Sequence, residues 1–184
     1  MWSRYRSPWM RVIVSIFLSA SLCTAIEFPP NWSEILMVEG ESDFAQTGPT
    51  AMSADGNILV VGSPYGLNGL GLRSGYVSVV DVSWDPETPI SYRIDGTAEG
   101  DMFGTAVDIS SYRVPRIVIG APGTDGGKNP SVGAVFVYDI FSGPGFSNAS
   151  LSHEQRGVAS HHGLGTDVAI SEDGSIFAVA GHID

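Results

Sequence analysis

The chain is poor in the residue types that several functions require. Among 184 residues there is one cysteine, Cys23. No disulfide can form within the chain, and no thiol pair exists for redox or zinc chemistry. Lysine also occurs once, at Lys128, and Lys plus Arg number 9 against 20 Asp plus Glu, a formal net charge of −11. Nucleic-acid binding needs a basic stripe, so no nucleic-acid partner is expected. No apolar run reaches the roughly 20 residues that span a bilayer as a helix, so no membrane span is expected within the chain. Beyond Ala25 no stretch shows the periodicity of an amphipathic helix. Gly (23) and Pro (11) are plentiful, but without a G-X-Y period, so the chain is turn-rich and not collagen-like. Val, Ile, Leu and Phe recur in short runs throughout, which excludes a disordered chain.

The segment 1–25 reads as an address. MWSRYRSPWMR (1–11) holds Arg4, Arg6 and Arg11 and no acid, VIVSIFLSASL (12–22) is apolar, and Cys23-Thr24-Ala25 ends in small residues. A basic start, a short apolar core and a small-residue exit make a secretory signal peptide, with the cut expected after Ala25. The segment 26–184 left after that cut would carry 6 basic and 20 acidic side chains, a net charge of −14, and no cysteine. The expected location is secreted or on the extracellular face of the cell surface. Two N-x-S triplets, Asn31-Trp32-Ser33 and Asn148-Ala149-Ser150, are acceptors for N-glycosylation on a eukaryotic secretory path.

The rest of the chain repeats. ILVVGSP (58–64), IVIGAP (117–122) and IFAVAG (176–181) carry Gly62, Gly120 and Gly181, at spacings of 58 and 61. SGYVSVVDV (74–82) matches VGAVFVYDI (132–140) at a spacing of 58, and FGTAVDIS (103–110) matches LGTDVAIS (164–171) at a spacing of 61. The first unit has TAMS (50–53) at the equivalent place, behind a blurred FAQTG (44–48). Three different segments sharing one spacing mark a repeat architecture. AVDIS and DVAIS alternate as half-buried strands do. The continuous runs ending in Gly fit strands buried on both faces. GAVFVYDI is rich in β-branched and aromatic residues, and further strands are expected at PISYRI (89–94) and near ASLSH (149–153). Asp55-Gly56 and Asp173-Gly174 fit two-residue hairpins with positive φ at both positions; unit 2 has the longer SYRVPR (111–116) there. The expected fold is therefore all-β, as β-propeller blades of four antiparallel strands.

Phe103-Gly104 followed by Gly120-Ala121-Pro122 within one unit resembles the FG-GAP repeat of integrin α-chain propellers. The short Asp-Gly hairpins are similar to those of FG-GAP-like repeats in microbial and algal secreted proteins. The resemblance covers about residues 31–184. It departs from the pattern at Ser63, where Ala stands in the motif, and at Gly181-His182, where Pro is missing. WD-repeat propellers are the rival, since SADG (53–56) and SEDG (171–174) are similar to their hairpin. Their period is nearer 40–45 residues, and Trp84-Asp85 occurs in unit 1 alone. Small residues let inner strands approach the crowded propeller axis, and Pro64 and Pro122 end strands because they lack a donor.

Residues 1–25 are thus expected as signal peptide, 26–43 as an outer strand (EILMVE, 34–39) and linker, and 44–184 as repeats of about 44–100, 101–160 and a shortened 161–184. Such a chain supplies about 2.5 blades where closed propellers take four to eight. It reads as the N-terminal portion of a longer protein.

Sites for chemistry are sparse in the sequence. The resemblance implies calcium loops of the form D-x-D-x-D-G-x-x-D, with oxygens at alternate positions. The corresponding places, 53–57, 110–116 and 171–175, hold too few acids, and Asp125 to Asn129 has one carboxylate beside Lys128; calcium is possible but unsupported, and no cofactor is expected. His153, His161, His162 and His182 all fall near the C-terminal end, but His161 and His162, as neighbours at a strand, point to opposite faces. No G-x-S-x-G occurs. The acidic pairs Glu172-Asp173 and Glu99/Asp101 fall in turns and are expected to keep the surface soluble. Tyr65, Trp84, Tyr92 and Tyr112 remain as candidate binding anchors. The expectation is a non-catalytic binding or adhesion module whose partner is an extracellular protein or glycan. The alternatives are part of an extracellular hydrolase or lyase acting on glycans, or a truncated product without function.

Overall fold

A computed structural model describes residues 10–15, 32–38, 47–82, 90–125, 130–143 and 146–182. Among these residues every regular element is a β-strand. Two strands lie near the start, β1 (Met10–Ser15) and β2 (Trp32–Val38), paired in parallel. A strand, β2, thus forms where an outer blade strand was expected at 34–39, but it pairs in parallel with β1 in a two-stranded sheet and joins no four-stranded blade. Its partner lies within the segment read as a signal peptide.

The first unit is a four-stranded antiparallel sheet of β3 (Thr50–Met52), β4 (Ile58–Ser63), β5 (Tyr76–Asp81) and β6 (Ile90–Asp95), in chain order. The second repeats it with β7 (Ala106–Ile109), β8 (Arg116–Ala121), β9 (Ala134–Gly143) and β10 (Phe146–Arg156). The third pairs β11 (Asp167–Ile170) with β12 (Phe177–Ala180). Antiparallel meanders stacked face to face and not closed into a ring are incomplete propeller blades. The strand expected near 149–153 is longer than the sequence suggested. β10 runs 11 residues, with a register shift between Leu151 and His153.

Stacking explains the apolar runs. Strand β8 lies between two neighbours and must be apolar on both faces. Ile117 and Ile119 enter a core shared with Val60, Val77, Val79 and Ile94 of the first sheet. Val118, between them, points the other way and packs with Ala106, Val135 and Val137 of its own sheet and with Val168 of the third unit. A second face of the first sheet gathers Leu59, Val61, Val80 and Val82. Phe103 sits where the first two sheets meet. It is 3% exposed and tilts against Phe136 at 5.3 Å and edge-on to Tyr138 at 6.5 Å. Burying such a ring contributes about 1.5–3 kcal/mol.

The glycines of the motif sit where backbones touch. A Cβ on Gly62 would strike the Gly104 carbonyl oxygen, and one on Gly120 would strike that of Gly165. These contacts belong to the next unit's Phe-Gly or Leu-Gly turn. Gly104 N–H donates to the Gly120 carbonyl at 3.0 Å, and Phe103 N–H to the Ser74 carbonyl at 2.9 Å.

Candidate functional site

Each unit turns between its first two strands at the same end of its sheet, and one serine controls each turn. The N–H groups of Ser53, Ser110 and Ser171 donate to the carbonyls of Ile58, Arg116 and Ile176 at 2.9, 2.9 and 2.8 Å. The N–H groups of Ile58, Arg116 and Ile176 donate back to the three serine hydroxyl oxygens at 2.9, 2.9 and 3.0 Å. This reciprocal latch closes the hairpin whatever lies between its ends.

In units 1 and 3 the latch encloses Asp-Gly, and the turn differs from the expected one. Gly56 and Gly174 have φ of 71° and 68°, but Asp55 and Asp173 do not adopt positive φ. The aspartate keeps an ordinary backbone because its side chain is used. Asp173 Oδ1 accepts from Ser171 Oγ at 2.6 Å, from Ser175 N–H at 3.0 Å and from Ser175 Oγ at 2.8 Å. The Ser171 hydroxyl first, then the Ser175 donors, hold the Asp173 pKa down at about 2. For Asp55 burial pushes the pKa up, but hydrogen bonds from Ser53 and Asn57 outweigh it and the net shift is downward.

Unit 2 carries the longer loop, and it reaches both neighbours. Ser111 Oγ accepts from the Ala54 N–H at 2.6 Å, in the first hairpin. Ser111 N–H donates to the Glu172 carbonyl at 3.0 Å, in the third. The far end is fixed by the Ile140 N–H donating to the Pro115 carbonyl at 2.8 Å. Arg116 Nε pairs with Asp139 Oδ1 at 2.8 Å and Nη1 donates to the Gly174 carbonyl at 2.8 Å. Between this loop and the third hairpin lies a cleft of about 450 Å³, lined by Ser111, Tyr112, Ser171, Glu172, Asp173, Ser175 and Ile176. Tyr112 is 58% exposed and Ile176 70% exposed. A second cleft of about 360 Å³, lined by Arg156, Gly157, Val158, His162, Leu164 and Gly181, lies beside the Leu-Gly turn.

Of the other residues singled out from the sequence, the structure brings few together. Among the described residues no group of three His, Cys, Asp or Glu comes close enough to hold a metal. His153 packs its ring 6.0 Å from Phe177, and His161 adopts a φ of 61° in a turn. Tyr65 is exposed, whereas Tyr92 is half-buried, and burial first, then the Asp81 charge, push its pKa up. Asp101 does not serve surface solubility. It is 5% exposed and accepts from Ala98 N–H at 2.9 Å and Thr97 Oγ1 at 3.2 Å, which fixes the turn before Phe103. Asp125 Oδ1 accepts from Ser131 N–H at 2.8 Å; Gly126, Gly127, Lys128 and Asn129 lie outside the described residues, as do Trp84, Asp85 and Asn31. Asn148 is exposed on β10, the edge strand of the second sheet. The motif residues Phe103, Gly104, Gly120, Ala121 and Pro122 all lie at the junction of units.

One correspondence changes. Gly104 and Thr105 N–H groups both donate to the Gly120 carbonyl, and Gly165 and Thr166 N–H groups both donate to the Ala180 carbonyl. Ala180, not Gly181, therefore occupies the place of Gly120. From the serine to its latch partner the third hairpin advances five positions and the second six, which shifts the match by one.

Four-stranded antiparallel sheets, repeated and stacked through glycine contacts, define a protein of propeller-blade repeats. The family model of the FG-GAP repeat matches residues 95–138, the span that runs from the end of β6 into β9. That stretch, with all five motif residues inside it, is an FG-GAP repeat. Comparison with curated proteins finds no match.

Proposed function

We propose that the chain is a secreted or cell-surface binding module that presents loops on a rigid frame of blades, without catalysis, and that its partner is an extracellular protein or glycan. One observation carries this reading. The serine latch is the same in all three units and the glycine contact recurs at Gly62 and Gly120, while the loop between Ser110 and Arg116 differs from its two counterparts and displays Tyr112. Constant frame and varied loop is the division of labour expected of recognition. FG-GAP repeats are typical of extracellular proteins, which agrees with a signal peptide at 1–25 and with glycans at Asn31 and Asn148.

The test is expression of the full chain, tagged at its C-terminus, in eukaryotic secretory cells. The expected product is recovered in the medium or at the cell surface, starts near Ile26, and loses mass on enzymatic removal of N-glycans. It binds an extracellular-matrix preparation saturably and leaves labelled glycans uncleaved. Retention inside the cell with Met1 intact overturns the secretory reading. Absence of saturable binding overturns the module reading, and cleavage of the glycans overturns its non-catalytic part.

A further inference from the structure

We infer that the cleft between the 111–115 loop and the third hairpin binds a neutral pyranose sugar, an inference that rests on the binding-module reading above. The argument begins with the donors. Ser171 and Ser175 hydroxyls donate to Asp173, the Ser175 N–H donates to Asp173, the Ile176 N–H to Ser171 Oγ and the Ser111 N–H to the Glu172 carbonyl. These donors are all spent within the protein. What the hairpin offers a guest is oxygen lone pairs, on Asp173, Glu172 and the serines. Toward the hairpin a guest must therefore donate, while the Ser111 and Tyr112 hydroxyls across the cleft can also give a hydrogen bond. An anionic guest is repelled by Glu172 and by Asp173, whose pKa of about 2 keeps it charged.

Two donor-rich guests remain, an organic cation and a polyol. The cleft favours the polyol. The Asp173 carboxylate already accepts from three donors, the Ser171 hydroxyl, the Ser175 N–H and the Ser175 hydroxyl, whose one hydrogen is shared between Oδ1 and Oδ2. Its charge is spread over these donors, and that weakens its pull on a further cation. The Tyr112 ring and the Ile176 side chain supply apolar surface on the same cleft. A pyranose has an apolar C–H face to lie on such surface and a rim of hydroxyl donors to meet the oxygens. An ammonium or guanidinium head has the donors but leaves Ile176 uncovered. The volume of about 450 Å³ falls within the range of about 300–1,000 Å³ usual for small-molecule sites. The backbone on either side of Tyr112 is also anchored. Ser111 beside it is tied to both neighbouring units, and Pro115 to β9, so little ordering remains to oppose binding.

The experiment titrates the full chain with the methyl glycosides of glucose, galactose, mannose and N-acetylglucosamine, read by ligand-observed NMR and calorimetry. Spermine and octa-arginine are the cationic comparators. At least one glycoside is expected to bind. Tyr112→Ala weakens it by about tenfold or more, Glu172→Gln weakens it measurably, and Tyr112→Phe, which keeps the ring, stays within about threefold. Unchanged thermal melts of the three variants exclude loss of fold, since both residues are exposed. The inference is overturned if none of the four glycosides binds, if Tyr112→Ala binds as tightly as the wild type, or if only spermine or octa-arginine binds. Matrix binding that persists in Tyr112→Ala, with no glycoside bound, removes this inference and leaves the binding-module reading intact.

Discussion

At the scale of single residues, the same side chain type does different work according to what donates to it. Asp101 is buried and fixes a turn, whereas Asp173 is exposed and organises a hairpin through three donors on one oxygen. The second case has a consequence in acid. The folded pKa of Asp173 is depressed from 3.8 to about 2, so its contribution to stability is fully present above pH 3.8 and lost as the pH falls through about 2. Thermal melts between pH 5 and pH 2 are expected to fall less steeply in Asp173→Asn than in the wild type, because the variant has no proton to take up there. Equal slopes would show that the hydrogen bonds to this carboxylate add nothing. The residue roles were unevenly legible. Serine ends all three aligned segments at 53, 110 and 171, so the latch had a signal in the repeat itself. The Ser111 bridge to Ala54 and Glu172 had none, because it joins residues far away in the sequence whose backbone, not side chain, makes the bond.

At the scale of the element, the strands were legible because burial on both faces forces continuous apolar runs, and the short β-branched run IVIGA, repeated in register with its counterparts, fits that environment. Lengths and offsets were less so. β10 extends to 11 residues, and its polar side chains from Asn148 to Arg156 face solvent and carry no pattern. The third hairpin is one residue shorter than the second, and sequence matching then put Gly181 where Ala180 stands. The hydrogen bonds also account for the alanine. Gly62 and Gly120 each touch the backbone of a following unit, but Ala180 is exposed and meets no such neighbour among the described residues. The substitution Gly120→Ala is therefore expected to destabilise the protein by about 1–3 kcal/mol, the usual range for forcing a methyl into a packed site. Ala180→Gly is expected to change stability by less than about 1 kcal/mol, the entropic cost of a strand glycine. Denaturant unfolding of the two variants checks the asymmetry, and equal losses would contradict the contact.

At the scale of the whole molecule, protection is graded along the chain. Strands β7, β8 and β9 are covered on both faces, by the first unit and by the third. The third unit is covered on one face, where Val168, Ile170, Phe177 and Val179 meet the second sheet, and Ala169, Ala178 and Ala180 lie exposed on the other. Units of a stacked repeat open separately when their neighbour contacts are few. Amide hydrogen exchange is expected to be at least about tenfold faster in β11 and β12 than in β8 and the facing part of β9. Uniform rates would mean that the three units unfold as one. The stacking order itself was legible, since each period of the repeat delivers one sheet. The pairing of β2 with β1 was not, because nothing in either strand's composition distinguishes a parallel partner from an antiparallel one.

The serine latch makes the hairpin end of each sheet a socket. Two hydrogen bonds hold the hairpin ends at the same spacing whether four residues or five separate the serine from its latch partner. Chain can be spliced in between Tyr112 and Val114, inside the points where Ser111 and Pro115 tie the loop to the frame. For protein engineering the second unit is thus a ready insertion point, where a foreign peptide is displayed at the rim and its two ends arrive already in register.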